Sequence, residues 1–202
     1  MIEVNRALAD LAEVRERLAA LQRFRGISGW AAVASGVVAF GAGIVQAMTA
    51  PRPVTPAELQ LYLAIWLSCL AFALVLNYGA IMLFLVRHWT ARTRTEVRGV
   101  GMSIVPAIAA GGVLTVALIA HGAYDMLPGM WCAAYALGLF ASRTLVPPRV
   151  TGVAVGFGIA AAGLLLVPVI DPLTWWIMPA AFGVGQFTIG AFVLADQPLE
   201  TK

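Results

Sequence analysis

Residues 86–101 read VRHWTARTRTEVRGVG, and Arg87, Arg92, Arg94 and Arg98 sit there in the middle of an otherwise apolar chain. Cationic segments are hard to translocate, so loops rich in Lys and Arg stay on the cytoplasmic side of a membrane. The stretch therefore predicts a cytoplasmic loop, and every other segment takes its orientation from it. Working outward, long apolar runs lie on both sides. The chain of 202 residues is 61% hydrophobic and 11% charged, with the charges clustered, which is the composition of an integral membrane protein.

The runs define six expected spans, at about 27–48, 59–86, 102–120, 129–142, 150–170 and 173–195, in a transmembrane domain of residues 26–202. The fold class that follows is an all-α polytopic membrane helix bundle, preceded by an amphipathic cytoplasmic helix over residues 1–25. An even number of spans puts both termini on the side of the basic stretch. Of 13 Lys and Arg residues, Arg52 alone then falls outside, a distribution that supports this orientation. Trp131, Trp175 and Trp176 fall at the outer interface and Trp30 and Trp89 at the inner one, where indole rings are stable, while Trp66 sits deep. The expected location is the bacterial cytoplasmic (inner) membrane, with the lipid bilayer as the first partner.

In residues 1–25, Val4, Ala7, Leu11, Val14, Leu18 and Leu21 recur at three and four residues and put one apolar seam on a helix. Three readings stay open: a helix on the membrane surface or against the protein's own loops, a seam for another subunit or a second copy, and a targeting peptide. The apolar run after it is long enough to span, and the charged region before it is longer and more acidic than a signal peptide needs. A partner-helix seam of Val4, Leu11, Val14, Leu18 and Leu21 follows from the second reading.

Small residues mark helix faces that neighbouring backbones can approach closely. They recur at Ala31, Ser35, Ala39, Gly43 and Ala47 in the first span and at Ala107, Gly111 and Thr115 in the third. The fifth span has two such stripes, Gly152, Gly156 and Ala160 beside Ala154, Gly158 and Ala162. Thr55, Pro56 and Glu58 form a capping box with Pro at the first helical position, which starts the second span. Asp171 and Pro172 are read as a turn and N-cap for the sixth span.

Chemistry is harder to find. Intramembrane Asp, Glu, Lys, Arg or His would point to function, and the expected spans hold none. His88 and His121 lie at opposite ends of the bundle and cannot share a metal. Cys69 and Cys132 differ in depth by roughly 10 Å at 1.5 Å per residue, too far for a disulfide. Ser35, Ser68 and Ser103 have no neighbouring base to activate them. The reading is a non-enzyme with no cofactor and no metal. Nucleic-acid binding is excluded, because the basic residues flank spans and form no face interleaved with aromatics.

Uncharged polar residues remain. Gln46, Asn77, Tyr78, Tyr135, Gln186 and Thr188 are expected either to bond between helices or, for Gln46, Asn77, Tyr135, Gln186 and Thr188, to line a small intramembrane cavity, with Gln186 in FGVGQFTIG as the first candidate. Pro106, Gly112 and Thr115 match Pro179, Gly185 and Thr188 at the same offsets in spans of opposite sense, a thin sign of an inverted repeat. Two functions are carried forward. The first is a non-catalytic accessory or regulatory interaction subunit that uses the N-terminal seam, and the alternative is a carrier for a small neutral or lipophilic solute.

RFRGISGW before the first span, IVPAIAAGG in the third, YALGLFASR in the fourth and FGVGQFTIG in the sixth resemble an uncharacterised family of small bacterial six-span membrane proteins, over about residues 11–194. The resemblance is carried by Val14, Arg15, Arg23, Phe24, Ile27, Ser28 and Gly29, and by Phe182, Gly183, Gln186, Ile189 and Gly190. A His and a Tyr usual in the family's last span are absent here, and Ala19 replaces an acidic residue. The resemblance implies a six-span topology and brings no activity with it.

Overall fold

The structure, a computed structural model, describes residues 27–87 and 91–196, with residues 91–103 described as helical backbone. Residues 1–25, and with them the seam residues Val4, Leu11, Val14, Leu18 and Leu21, lie outside the described residues, as do His88 and Trp89. The described chain is all-helical. Its six α-helices are α1 (Gly29–Thr49), α2 (Pro56–Arg87), α3 (Ala91–Ala120), α4 (Leu127–Ala141), α5 (Val150–Leu166) and α6 (Val184–Asp196), and a π-helical turn (Pro179–Gly183) leads into α6.

Three helical segments are long and apolar enough to cross a membrane: Gly29–Thr49, Pro56–Arg87 and Pro179–Asp196. Ile104–Ala120 and Val150–Leu166 are apolar but shorter, at 17 residues or fewer, and α4 has 15. Large apolar side chains are exposed on the outward faces of the helices, among them Ile44, Phe72, Val113, Leu137 and Ile159. A surface of this kind is stable against hydrocarbon and not against water.

Each helix packs antiparallel against its neighbours in chain order, α1 on α2, α3 on α4, α4 on α5 and α5 on α6, and α6 returns to α1. The result is a ring, with α2 and α3 making no extensive interface. One end of the ring carries the connections around Arg52, Tyr124 and Asp171. The other carries Gly29, Arg87 and the 142–149 turn.

Glycine sets the α1–α6 spacing. A Cβ on Gly29 would lie 2.9 Å from the Gly190 carbonyl oxygen, and one on Gly190 would lie 2.9 Å from the Gly29 carbonyl oxygen. Gly36 meets Phe187 and Gly43 meets Pro179, so positions seven apart on α1 follow one face of α6. The stripe Ala31, Ser35, Ala39 is buried on the adjacent face, where Ala39 joins Tyr62, Trp66 and Cys69 of α2. Gly43 is buried as well, while Ala47 at the end of the stripe is only half-buried. On α3, Gly111 faces Ala134, Ala107 faces Gly138, and Thr115 bonds to Trp131 of α4.

Four segment readings need correction. The basic stretch is not a loop throughout, because α3 is helical from Ala91. The fifth helix ends at Leu166 instead of Ile170, since Val167 precedes a proline and takes an extended conformation (φ −102°, ψ 102°). Residues 171–176 are turns instead of the start of a helix. The Asp171 side chain accepts from the Leu173 N–H at 3.2 Å, a local bond that competes with helix formation. Lastly, the α5 stripe Gly152 and Gly156 faces open space, and the buried face of that helix is Val150, Ala154, Phe157 and Ala161. Of the second expected stripe Ala154 is buried, while Gly158 meets nothing within 4 Å and Ala162 is exposed.

Candidate functional site

The five polar residues singled out for a cavity fall into separate places. Gln46, fully buried near the C-terminal end of α1, donates from Nε2 to the Leu173 carbonyl oxygen at 2.8 Å and accepts from Trp66 Nε1–H at 2.8 Å. Three turns further along the same interface, Asn77 donates to Ser35 Oγ and to the Ala73 carbonyl oxygen, each at 2.9 Å. The Ser35 hydroxyl donates in turn to the Ala31 carbonyl oxygen at 2.8 Å. The structure brings Gln186 and Tyr135 together, with the amide donating to the phenol oxygen at 2.8 Å. Thr188 bonds back to the Val184 carbonyl oxygen of its own helix and joins none of the others.

Tyr135 and Gln186 lie beside an aromatic triad. The Tyr135, Phe157 and Phe182 ring centroids are 4.7, 5.5 and 5.1 Å apart, too close for a ligand between them. This group is a packed core. A shallow open recess of about 240 Å³ lies elsewhere, between α1 and α2, lined by Val38, Ala42, Val45, Ile65, Ser68, Cys69 and Phe72, and it includes none of the five.

The Gln46 cluster is the more distinctive site. Tyr62 is fully buried one turn before Trp66 on α2, and its ring lies parallel to that of Trp131 (centroids 6.3 Å, planes 5° apart). Trp131 donates to Thr115 Oγ1 at 2.9 Å, and Thr115 donates to the Gly111 carbonyl oxygen at 2.7 Å. The Tyr62 hydroxyl is the buried side-chain polar atom without a hydrogen-bond partner among the described residues. Leu173 and Met178 close the same buried cluster. The connection that carries them is pinned to the loop after α1: the Trp175 N–H donates to the Pro51 carbonyl oxygen at 3.0 Å, and Arg52 pairs with Asp171 at the surface.

Tyr62, Trp131 and the Leu173 carbonyl were not among the sequence candidates. Tyr62 and Trp66 are four residues apart, so they share one face of a helix, and that spacing around a deep Trp was the available signal. The Leu173 carbonyl had none. It is free to accept only because the residues after it are not helical.

Among the described residues, no three or more His, Cys, Asp or Glu come together to hold a metal ion. Cys69 and Cys132 are both buried and unpaired. Gln46, Asn77 and Gln186 each have a hydrogen-bond partner on another helix or connection, and a buried amide left unbonded is costly. In comparisons with known proteins, no family model, no curated protein and no solved structure matches this chain.

Proposed function

We propose that this chain is a six-span protein of the bacterial cytoplasmic membrane, with both termini in the cytoplasm, acting as a non-catalytic accessory or regulatory subunit that binds a partner through its N-terminal helix. The observation that carries the reading is the mutual pairing of intramembrane polar groups, Gln46 with Trp66, Asn77 with Ser35 and Gln186 with Tyr135. Groups committed to helix–helix bonds support a scaffold. The six helices, packed antiparallel one on the next, support six crossings: α3 runs for 30 residues, and the shorter α4 and α5 are completed by the turns at their ends and accommodated by local thinning of the bilayer. Exposed Trp175 and Trp176 at the Arg52 end suit an interface.

The experiment is the native mass of the particle, extracted gently with its lipids, for the intact chain and for one lacking residues 1–20. The reading expects a second subunit or a second copy that the truncation releases. Lone monomers in both cases would remove it.

A second reading, a carrier for a small neutral or lipophilic solute, is favoured by one observation: the buried Tyr62 hydroxyl without a partner beside the Gln46 cluster. Saturable uptake that survives deletion of residues 1–20 would select the carrier.

A further inference from the structure

We infer that the 142–149 turn, between α4 and α5, is a docking surface for the phosphodiester headgroup of an acidic phospholipid, engaged by Arg143, Thr144 and Arg149. The sequence there reads SRTLVPPR, and its residues divide into two sets. Ser142, Val146 and Pro147 are buried, whereas Arg143, Thr144, Pro148 and Arg149 are exposed. Val146 packs with Val150, Ala32, Ile189 and Val193, which fixes the turn against α1 and α6. Two prolines restrict its backbone further. The exposed groups thus stand on a rigid support.

Much of their hydrogen-bonding capacity is unused. Arg143 donates to the Phe140 carbonyl oxygen at 3.3 Å, which keeps the guanidinium at the turn and leaves most of its donors free. Among the described residues, neither Arg149 nor the Thr144 hydroxyl has a side-chain partner, and the Arg52–Asp171 ion pair lies at the opposite end of the ring. Arg87 ends α2 on the same side as the turn. Arg92, Arg94 and Arg98 lie on the first turns of α3, and the register of Gly111 on Ala134 and Gly138 on Ala107 carries those turns past the level of Arg143. Against these cations stand only Glu96 and Asp196 among the described residues of this end. The surface complements an anion, and a guanidinium suits the oxygens of a phosphate.

Position decides where that anion comes from. Ile27 packs on the same cluster as Val146, and Trp30 at the start of α1 is 70% exposed, the placement of an indole in the headgroup layer. One and two turns into α5 from Arg149, a Cβ on Gly152 or Gly156 would meet nothing within 4 Å. Val155 and Ile159 of that helix and Leu137 of α4 are exposed as well. An acyl chain attached to the headgroup has an open apolar surface to lie on, and a free phosphate gains nothing from it. The inference rests on the reading of the chain as membrane-spanning and needs no partner subunit.

The test is native mass spectrometry of the full chain in mild detergent, titrated with dioleoylphosphatidylglycerol and, separately, with dioleoylphosphatidylcholine. Phosphatidylglycerol is expected to bind at least about fivefold more tightly. Arg143→Gln and Arg149→Gln should each weaken its binding about fivefold, and the double variant should erase the preference. Replacing both by Lys should keep most of the preference, and Arg52→Gln, at the opposite end, should keep all of it. Raising the salt from about 0.05 M to about 0.5 M should reduce it, because exposed charges are screened. Equal affinity for the two lipids, a preference that survives in the double Gln variant, or an equal loss in Arg52→Gln would overturn the inference. Displacement of phosphatidylglycerol by equimolar inorganic phosphate would overturn it in favour of a soluble anion. Should the double Gln variant fail to fold, a preference insensitive to salt would overturn it equally. Each of these outcomes is independent of the native mass of the chain lacking residues 1–20, which tests the partner-helix reading.

Discussion

Gln186 donates to the Tyr135 hydroxyl at 2.8 Å and so joins α6 to α4. The bond is part-buried, and the Tyr135 ring packs against Phe157 and Phe182. If its role is to hold helices, its two partners act as a unit. Gln186→Leu and Tyr135→Phe should each lower stability by about 0.6–2 kcal/mol, and the double variant should cost less than the two together. Unfolding of the reconstituted protein in a double-mutant cycle measures the coupling.

Close packing at Gly190 makes a second prediction. A Cβ there would meet Val33 at 2.6 Å and the Gly29 carbonyl oxygen at 2.9 Å, and a backbone oxygen in a packed helix has little room to yield. Gly190→Ala should destabilise by about 1–3 kcal/mol, as overpacking does. Gly152→Ala, at a position with nothing within 4 Å, should be neutral or slightly stabilising through helix propensity. Thermal midpoints in one detergent separate the two.

The start of α2 depends on three bonds. Glu58 Oε2 accepts from the Val54 and Thr55 N–H groups at 3.0 Å each, and the Glu58 N–H donates to Thr55 Oγ1 at 3.3 Å. Thr55→Ala should cost about 1 kcal/mol through loss of the cap. The loss should appear first as faster hydrogen exchange in residues 56–60.

Arg52 and Arg149 lie at opposite ends of the ring, which allows a direct test of sidedness. Arg52→Cys and Arg149→Cys are both exposed positions, and the native Cys69 and Cys132 are buried. In intact cells an impermeant maleimide should label the first and spare the second. Labelling of both or of neither would reject the proposed topology.

The sequence by itself determined the apolar character of this protein, its helical class and much of its packing chemistry. The long continuous apolar runs favour helices, which satisfy their backbone bonds within the segment itself. The Ala31–Ser35–Ala39 stripe, the Ala107–Gly111–Thr115 face and the Thr55–Glu58 cap are local patterns with periods of three or four residues, and they lie where helix geometry puts them. Only the tertiary structure decided which polar groups meet. Gln46 and Leu173 are 127 positions apart, and no periodicity links an α1 side chain to a carbonyl in a distant turn. That turn exists because Asp171 and Pro172 favour a local side-chain bond over a helix, a competition too close to settle from residue types alone. The α5 glycines show the same division. Smallness permits close approach at Gly152 and Gly156 equally with Ala154, yet the buried face is the one that Ala154 shares with Phe157.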